Sequence, residues 1–337
     1  MKPQKLITEV VVAPSVWKIN HHAQVITCGS CFADVLGGQL HENKFPVLNN
    51  PFGTVFNPLS IARLLELALD GKLPDPALYH QDADGIWLHH DFHSSIWGTD
   101  RKSFEALLAG RLAGVRKFLK TANLLVITFG SAYAYRHRSS NLIVGNCHKV
   151  PSDRFLKELL NQDQLLISFE QLLFKLQAFN RNLKVILTVS PVRHTRDTLP
   201  LNQVSKAILR LISHRLSEKF RQVEYFPAYE IMMDELRDYR FYEDDLIHPN
   251  KLAEEHIFGV FTDVFIESAS IDFISEWQSV RKMMLHRPAH GRTRSQLMLL
   301  KTIHDKLSKL ALNGNFSEEL TMVKARIDEF PVELQTH

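Results

Sequence analysis

Apolar residues fall in two rhythms along this chain. Short unbroken runs, each ended by turn-forming residues, stand at 24–28, 45–48, 123–129, 184–189 and 222–226. A strand covered on both faces has this form, because neither face leaves room for polar alternation. Between the runs, apolar residues recur every three or four positions over 31–42, 58–69, 101–120, 164–180 and 201–220, which predicts amphipathic helices. Parallel strands need crossover connections, and strand alternating with helix supplies them. The pattern predicts an α/β fold: a three-layer α/β/α flavodoxin-like sandwich on a mostly parallel five-stranded sheet.

The rhythm fails from 70 to 100, where Pro74, Pro76, Asp82, Gly85, Trp87, His89, His90, His93 and Trp97 stand instead. A polar insertion of this length, spotted with aromatics, is expected to serve the site. After a helix at 250–267, helical periodicity returns over 271–285, 295–312 and 318–330. The organisation read from this is a main domain over 1–268 carrying the 70–100 insertion, then a C-terminal helical extension over 269–337.

Composition narrows the function. The 337 residues are 45% hydrophobic and 23% charged, and 40 Lys and Arg against 37 Asp and Glu leave a net charge of only +3. No basic domain for nucleic acid is implied, and no long uncharged apolar run predicts a membrane span. Three cysteines make no disulfide framework. The apolar stretch after Lys5 is broken by Glu9 and too short for a signal segment, so the expectation is a cytoplasmic protein of open oligomeric state.

Two places carry chemistry. At Val25-Ile-Thr-Cys-Gly-Ser30 a strand ends, Gly29 allows a tight turn and a helix begins. A hydroxyl at Ser30 would stand at the carboxyl edge of the sheet, beside the N–H groups of a helix start, as a nucleophile or simply as an N-cap. Near the other end, Asp245-Leu-Ile-His248-Pro249 precedes a helix. Proline restrains His248 to a non-helical loop, and an Asp three residues before it can orient one imidazole nitrogen and leave the other to accept a proton. The alternative is a capping Asp and an exposed His.

Gly29-Ser-Cys-Phe-Ala33 spells the name motif of the GSCFA domain family, grouped with the SGNH, or GDSL-like, hydrolases. Asn50-Pro-Phe-Gly-Thr54, Asp91-Phe-His-Ser94, Thr128-Phe-Gly-Ser-Ala-Tyr133, Gly145-Asn-Cys-His148, Ser190-Pro-Val-Arg-His194 and the 245–248 segment resemble further blocks of that family, in order across roughly 20–265. The resemblance implies a Ser30, Asp245, His248 triad acting through an acyl-enzyme, with the N–H groups of Ser30 and Gly53 in the oxyanion hole. Gly130-Ser-Ala-Tyr133 lacks the Asn that the superfamily carries there. Asn146 or Ser131 is the candidate replacement donor. His93, Gly130, Ser131, His148 and Arg193 are the expected substrate contacts.

Other constellations compete. Cys28-Gly-Ser-Cys31 has redox or zinc spacing, but only Cys147 remains to complete a zinc site. Cys31 at a helix start is an alternative nucleophile. His89, His90 and His93 lack the His-Glu-x-x-His arrangement of a catalytic metal. The stretch 281–294 gathers Arg281, Lys282, Arg287, Arg292 and Arg294 without an acid, and would fold over the site to hold an anionic substrate or a partner. The expectation is a cofactor-free, metal-free esterase acting on a small-molecule or carbohydrate ester, such as an O-deacetylase, without nucleic-acid or membrane partners. An O-acyltransferase on the same triad and a non-catalytic binding module on the same fold are the rivals.

Overall fold

The computed structural model describes residues 7–286 and 293–331. In chain order the elements are β1 (Val25–Gly29), α1 (Cys31–Glu42), β2 (Val47–Asn49), α2 (Pro58–Asp70), β3 (Tyr79–Gln81), β4 (Trp87–His89), α3 (Arg101–Leu119), β5 (Leu124–Phe129), β6 (Tyr133–His137), β7 (Ile143–Val144), β8 (Phe155–Leu159), α4 (Gln162–Phe179), β9 (Lys184–Val189), α5 (Leu199–Lys219) and β10 (Val223–Phe226). There follow a single turn, α6 (Ala228–Glu230), and then α7 (Lys251–Phe265), α8 (Ser268–Met284), α9 (Arg294–Leu310) and α10 (Ser317–Asp328).

Five strands form one parallel sheet in the order β10-β9-β5-β1-β2. Every residue of β1 and β5 is buried, as their unbroken apolar runs require. Successive side chains alternate between two cores. Ile26, Cys28, Leu125 and Ile127 pack with Leu65 of α2, Phe104 of α3, Phe169 of α4 and Leu209 of α5. Val25, Leu124, Val126 and Ile186 face the other way, onto Leu36 of α1, Phe261 of α7, Trp277 of α8 and Leu307 of α9. The sandwich is therefore three-layered, and α8 and α9 share the second core with α1.

The helical tail docks at the far end of α1 from Ser30. Trp277 Nε1–H donates to Glu42 O at 2.7 Å, Arg281 pairs with Glu42 at 2.7 Å, and Lys44 pairs with Glu319. Twelve residues of α1 separate that end from Ser30, about 18 Å of helix. Arg281, at the start of the basic stretch, is thus drawn to Glu42, away from Ser30, against the expectation that the stretch covers the site; Arg287 and Arg292 lie outside the described residues.

The insertion holds the antiparallel hairpin β3–β4, and β7-β6-β8 form an additional antiparallel sheet that the apolar runs do not predict. Among the described residues, no helix is long and apolar enough to cross a membrane.

Candidate active site

Gly29 closes β1 with φ +132°, and a Cβ there would lie 2.1 Å from Thr128 O. Only glycine fits so flush against β5. Ser30 follows at the N-cap position of α1, yet its side chain makes no capping bond. Its hydroxyl is buried and has no hydrogen-bond partner. Leaving a hydroxyl in that state costs about 1–3 kcal/mol. The capping alternative therefore does not account for Ser30.

The 245–248 loop holds a formed acid–imidazole pair. Asp245 Oδ1 accepts the backbone N–H groups of Ile247 and His248 at 2.8 and 3.0 Å, and Oδ2 accepts His248 Nδ1–H at 2.6 Å. These bonds, the His248 backbone first, hold the Asp245 carboxyl down at about 2. Asp245 caps nothing: Asn250 caps α7 through Ala253 N–H. Both side chains are nearly half exposed, and with Nδ1 engaged by Asp245, Nε2 is the ring nitrogen left for other partners. No hydrogen bond joins Nε2 to Ser30 Oγ in this structure.

Arg193 fastens this loop. Its N–H donates to Ile247 O at 3.3 Å, its guanidinium donates to Leu246 O, and its plane lies 4.2 Å from the Tyr242 ring. Arg193, expected to hold substrate, gives a guanidinium N–H to the loop backbone, while its Nε is buried without a hydrogen-bond partner.

The expected oxyanion donors are also engaged. Ser30 N–H extends the β1–β5 ladder to Thr128 O at 3.0 Å, and Gly53 N–H closes the Asn50–Gly53 turn on Asn50 O at 2.8 Å. Neither points free as the reading of the sequence supposed. The side chain of Asn146 accepts His148 N–H at 2.8 Å, and its Nδ2 lies 3.4 Å from Ser94 Oγ. Ser131 Oγ accepts Tyr133 N–H and lies 3.3 Å from Ser205 Oγ.

The remaining candidates divide. Gly130 sits under Phe56, whose carbonyl accepts its N–H at 2.9 Å, and His93 packs against Gly53 so tightly that a Cβ on the glycine would lie 2.3 Å from His93 Cβ. His148 turns elsewhere: its Nε2–H donates to His89 O at 2.9 Å, and its ring joins His80 and His137 around His90, at 5.3–5.8 Å from His90. Among the described residues, no three His, Cys, Asp or Glu side chains are placed to hold a metal. The three cysteines are free thiols, and burial pushes each above its ordinary range, Cys147 to about 11.

Residues that the sequence did not single out line the same edge of the sheet. Asn202, Ser205 and Lys206, on the first turns of α5, are each about 1% exposed. Lys206 Nζ–H donates to Gly130 O at 2.9 Å and Ser190 O at 2.7 Å, tying the ends of β5 and β9. Burial brings its ammonium down to about 7. His194 stands edge-on to Phe56 with ring centroids 5.3 Å apart, and burial, Lys206 and His248 together hold its imidazole at about 4. Polar residues at 202, 205 and 206, three to four apart on one helix face, were the available signal.

Two comparisons bear on this architecture. The sequence profile described as the GSCFA family matches residues 24–261, and that described as the GSCFA domain protein, C-terminal domain, matches residues 277–329. No curated protein matches the chain.

Proposed function

The chain belongs to the GSCFA family, and on that footing we propose that it is an SGNH-type serine hydrolase that cleaves a small-molecule or carbohydrate ester. Ser30 Oγ attacks the acyl carbon while its proton passes to His248 Nε2, and Asp245 steadies the imidazolium. The carbon–oxygen bond to the alcohol breaks, and the alkoxide takes that proton. Water, deprotonated by the same imidazole, releases the acid from Ser30. Three free thiols suit the reducing cytoplasm in which we place it.

The carrying observation is the Ser30 hydroxyl, held at the start of α1 without capping it and without any partner, in a chain whose Asp245–His248 pair is already formed. Substrate must displace whatever covers the hydroxyl, since Ser30 is fully buried. That burial, with both backbone N–H groups engaged, favours the competing reading of a binding module without turnover. One experiment separates them: incubation with a fluorophosphonate probe and mapping of the modified residue by mass spectrometry. The hydrolase reading expects labelling at Ser30 that is lost in Ser30→Ala. Because the substitution removes a buried hydroxyl that makes no bond, stability should stay level or rise, by up to about 1–3 kcal/mol. An unlabelled wild type, or labelling that survives, overturns the hydrolase.

A further inference from the structure

Asn202 is a buried amide with half of its bonding capacity unused. Its Oδ1 accepts His194 N–H at 3.1 Å, which fixes which end of the amide faces the backbone. The other end, Nδ2, is buried and has no partner. A donor left so costs about 1–3 kcal/mol, and an apolar residue of equal size would avoid that cost. Beside it, His194 Nε2 is also buried without a partner.

We propose that Asn202 and His194 form a substrate subsite that binds an acyl or carboxylate oxygen. The surroundings select an oxygen acceptor. Lys206 lies one turn along α5 from Asn202 and contributes N–H donors on a basic nitrogen. Asp197, the acid nearest in sequence, is tied to Lys157 and turned to that partner. A carboxylate or ester oxygen would satisfy Nδ2 and lie in the positive field of Lys206. His194 N–H bonds to Asn202 and the adjacent Arg193 N–H bonds to Ile247 O, so the subsite lies between the start of α5 and the 245–248 loop. For its substrate the subsite rests on the hydrolase reading; its capacity to bind an oxygen does not.

The test uses the full-length chain with Ser30→Ala, which removes the proposed chemistry, titrated with acetate and followed by nitrogen-15 NMR of side-chain amides and imidazoles. Saturable shifts are expected at Asn202 Nδ2 and His194. Asn202→Asp keeps the oxygen that accepts His194 N–H but replaces the donor with a second oxygen, and should weaken acetate at least tenfold. Asn202→Leu, which fills the space without a donor, should also lose acetate; it removes the unpaired Nδ2 but also the acceptor of His194 N–H, so its melting temperature should stay near that of the parent chain. Acetate bound equally by the substituted chains, or no shift at Asn202 at saturating acetate, overturns the subsite. Probe labelling of the wild type reports separately. A labelled serine with a silent Asn202 removes the subsite and keeps the hydrolase, and bound acetate on an unlabelled wild type does the reverse.

Discussion

Replacing Lys206 by methionine should leave stability nearly unchanged at neutral pH and lower it in alkali. In the folded chain burial holds the ammonium at about 7, against 10.5 for an ordinary lysine. Each pKa unit is 1.36 kcal/mol, so keeping this group charged in place costs about 5 kcal/mol. The sign follows from proton counting. Between about pH 7 and 10.5 the unfolded chain holds a proton that the folded chain has released, so the stability contributed by Lys206 rises with pH across that window; below pH 7 the full cost applies. Methionine removes the cost but also strips the donors from Gly130 O and Ser190 O, which loses about 1–3 kcal/mol for each carbonyl left buried and unpaired. At neutral pH the two effects nearly cancel. In alkali the neutral amine still donates to both carbonyls, and the methionine variant falls behind. Urea unfolding of both proteins at about pH 7.5 and 9.5 should therefore show the stability difference moving against Lys206→Met by about 2 to 3 kcal/mol, other titrations cancelling in the comparison. A difference independent of pH would refute the reasoning, because it would mean that Lys206 keeps its proton in both states.

Two further outcomes follow from local geometry. Gly29→Ala should cost at least about 3 kcal/mol in urea unfolding, at the upper end for single substitutions, since the methyl meets a backbone oxygen at 2.1 Å that cannot move without opening the β1–β5 ladder; a loss under about 1 kcal/mol would show that the strand ends are free to part. Acid should loosen the packing of the insertion on β6: burial, with His80, His137 and His148 around it, holds His90 at about 4, so the folded state binds fewer protons than the unfolded chain from about pH 6.5 down to 4 and loses stability as pH falls through that range. His90→Gln should remove about 2 kcal/mol of the acid sensitivity between pH 7 and 5, and an unchanged pH dependence would count against it.

The central sheet was legible because strands buried on both faces leave an unmistakable record. The run at 123–129 became Leu124–Phe129, and that at 184–189 kept its bounds. β6 and β8 left no such record, since Tyr135, Leu156 and Leu159 are exposed and polar residues interrupt both strands. At the site, the place of Ser30 could be read from a glycine and serine between strand and helix, and the Asp245–His248 pairing from a three-residue spacing before proline. What could not be read is which N–H groups the backbone keeps for itself, because the bonds from Ser30 to Thr128 and from Gly53 to Asn50 depend on how turns close in space. Asn202 and Lys206 were hidden for another reason. Polar residues on an amphipathic helix ordinarily face water, but the first turns of α5 cross the ends of β5 and β9, where Gly130 and Ser190 leave strand carbonyls in need of donors.

The electrostatic arrangement at this edge of the sheet follows from the same crossing. Three basic side chains, Lys206, His194 and His248, converge on it, and charge on the two buried ones at once would be costly. Burial resolves the conflict unevenly: His194, held at about 4, stays neutral at physiological pH, while Lys206 stands near its midpoint. A proton arriving on His248 therefore meets no second imidazolium beside it. It meets Asp245, which is held at about 2 and is ionised throughout the working range. Under the proposed hydrolase reading, keeping one imidazole neutral while giving its neighbour an ionised carboxylate would separate the two histidines by environment alone, leaving His248 as the proton acceptor.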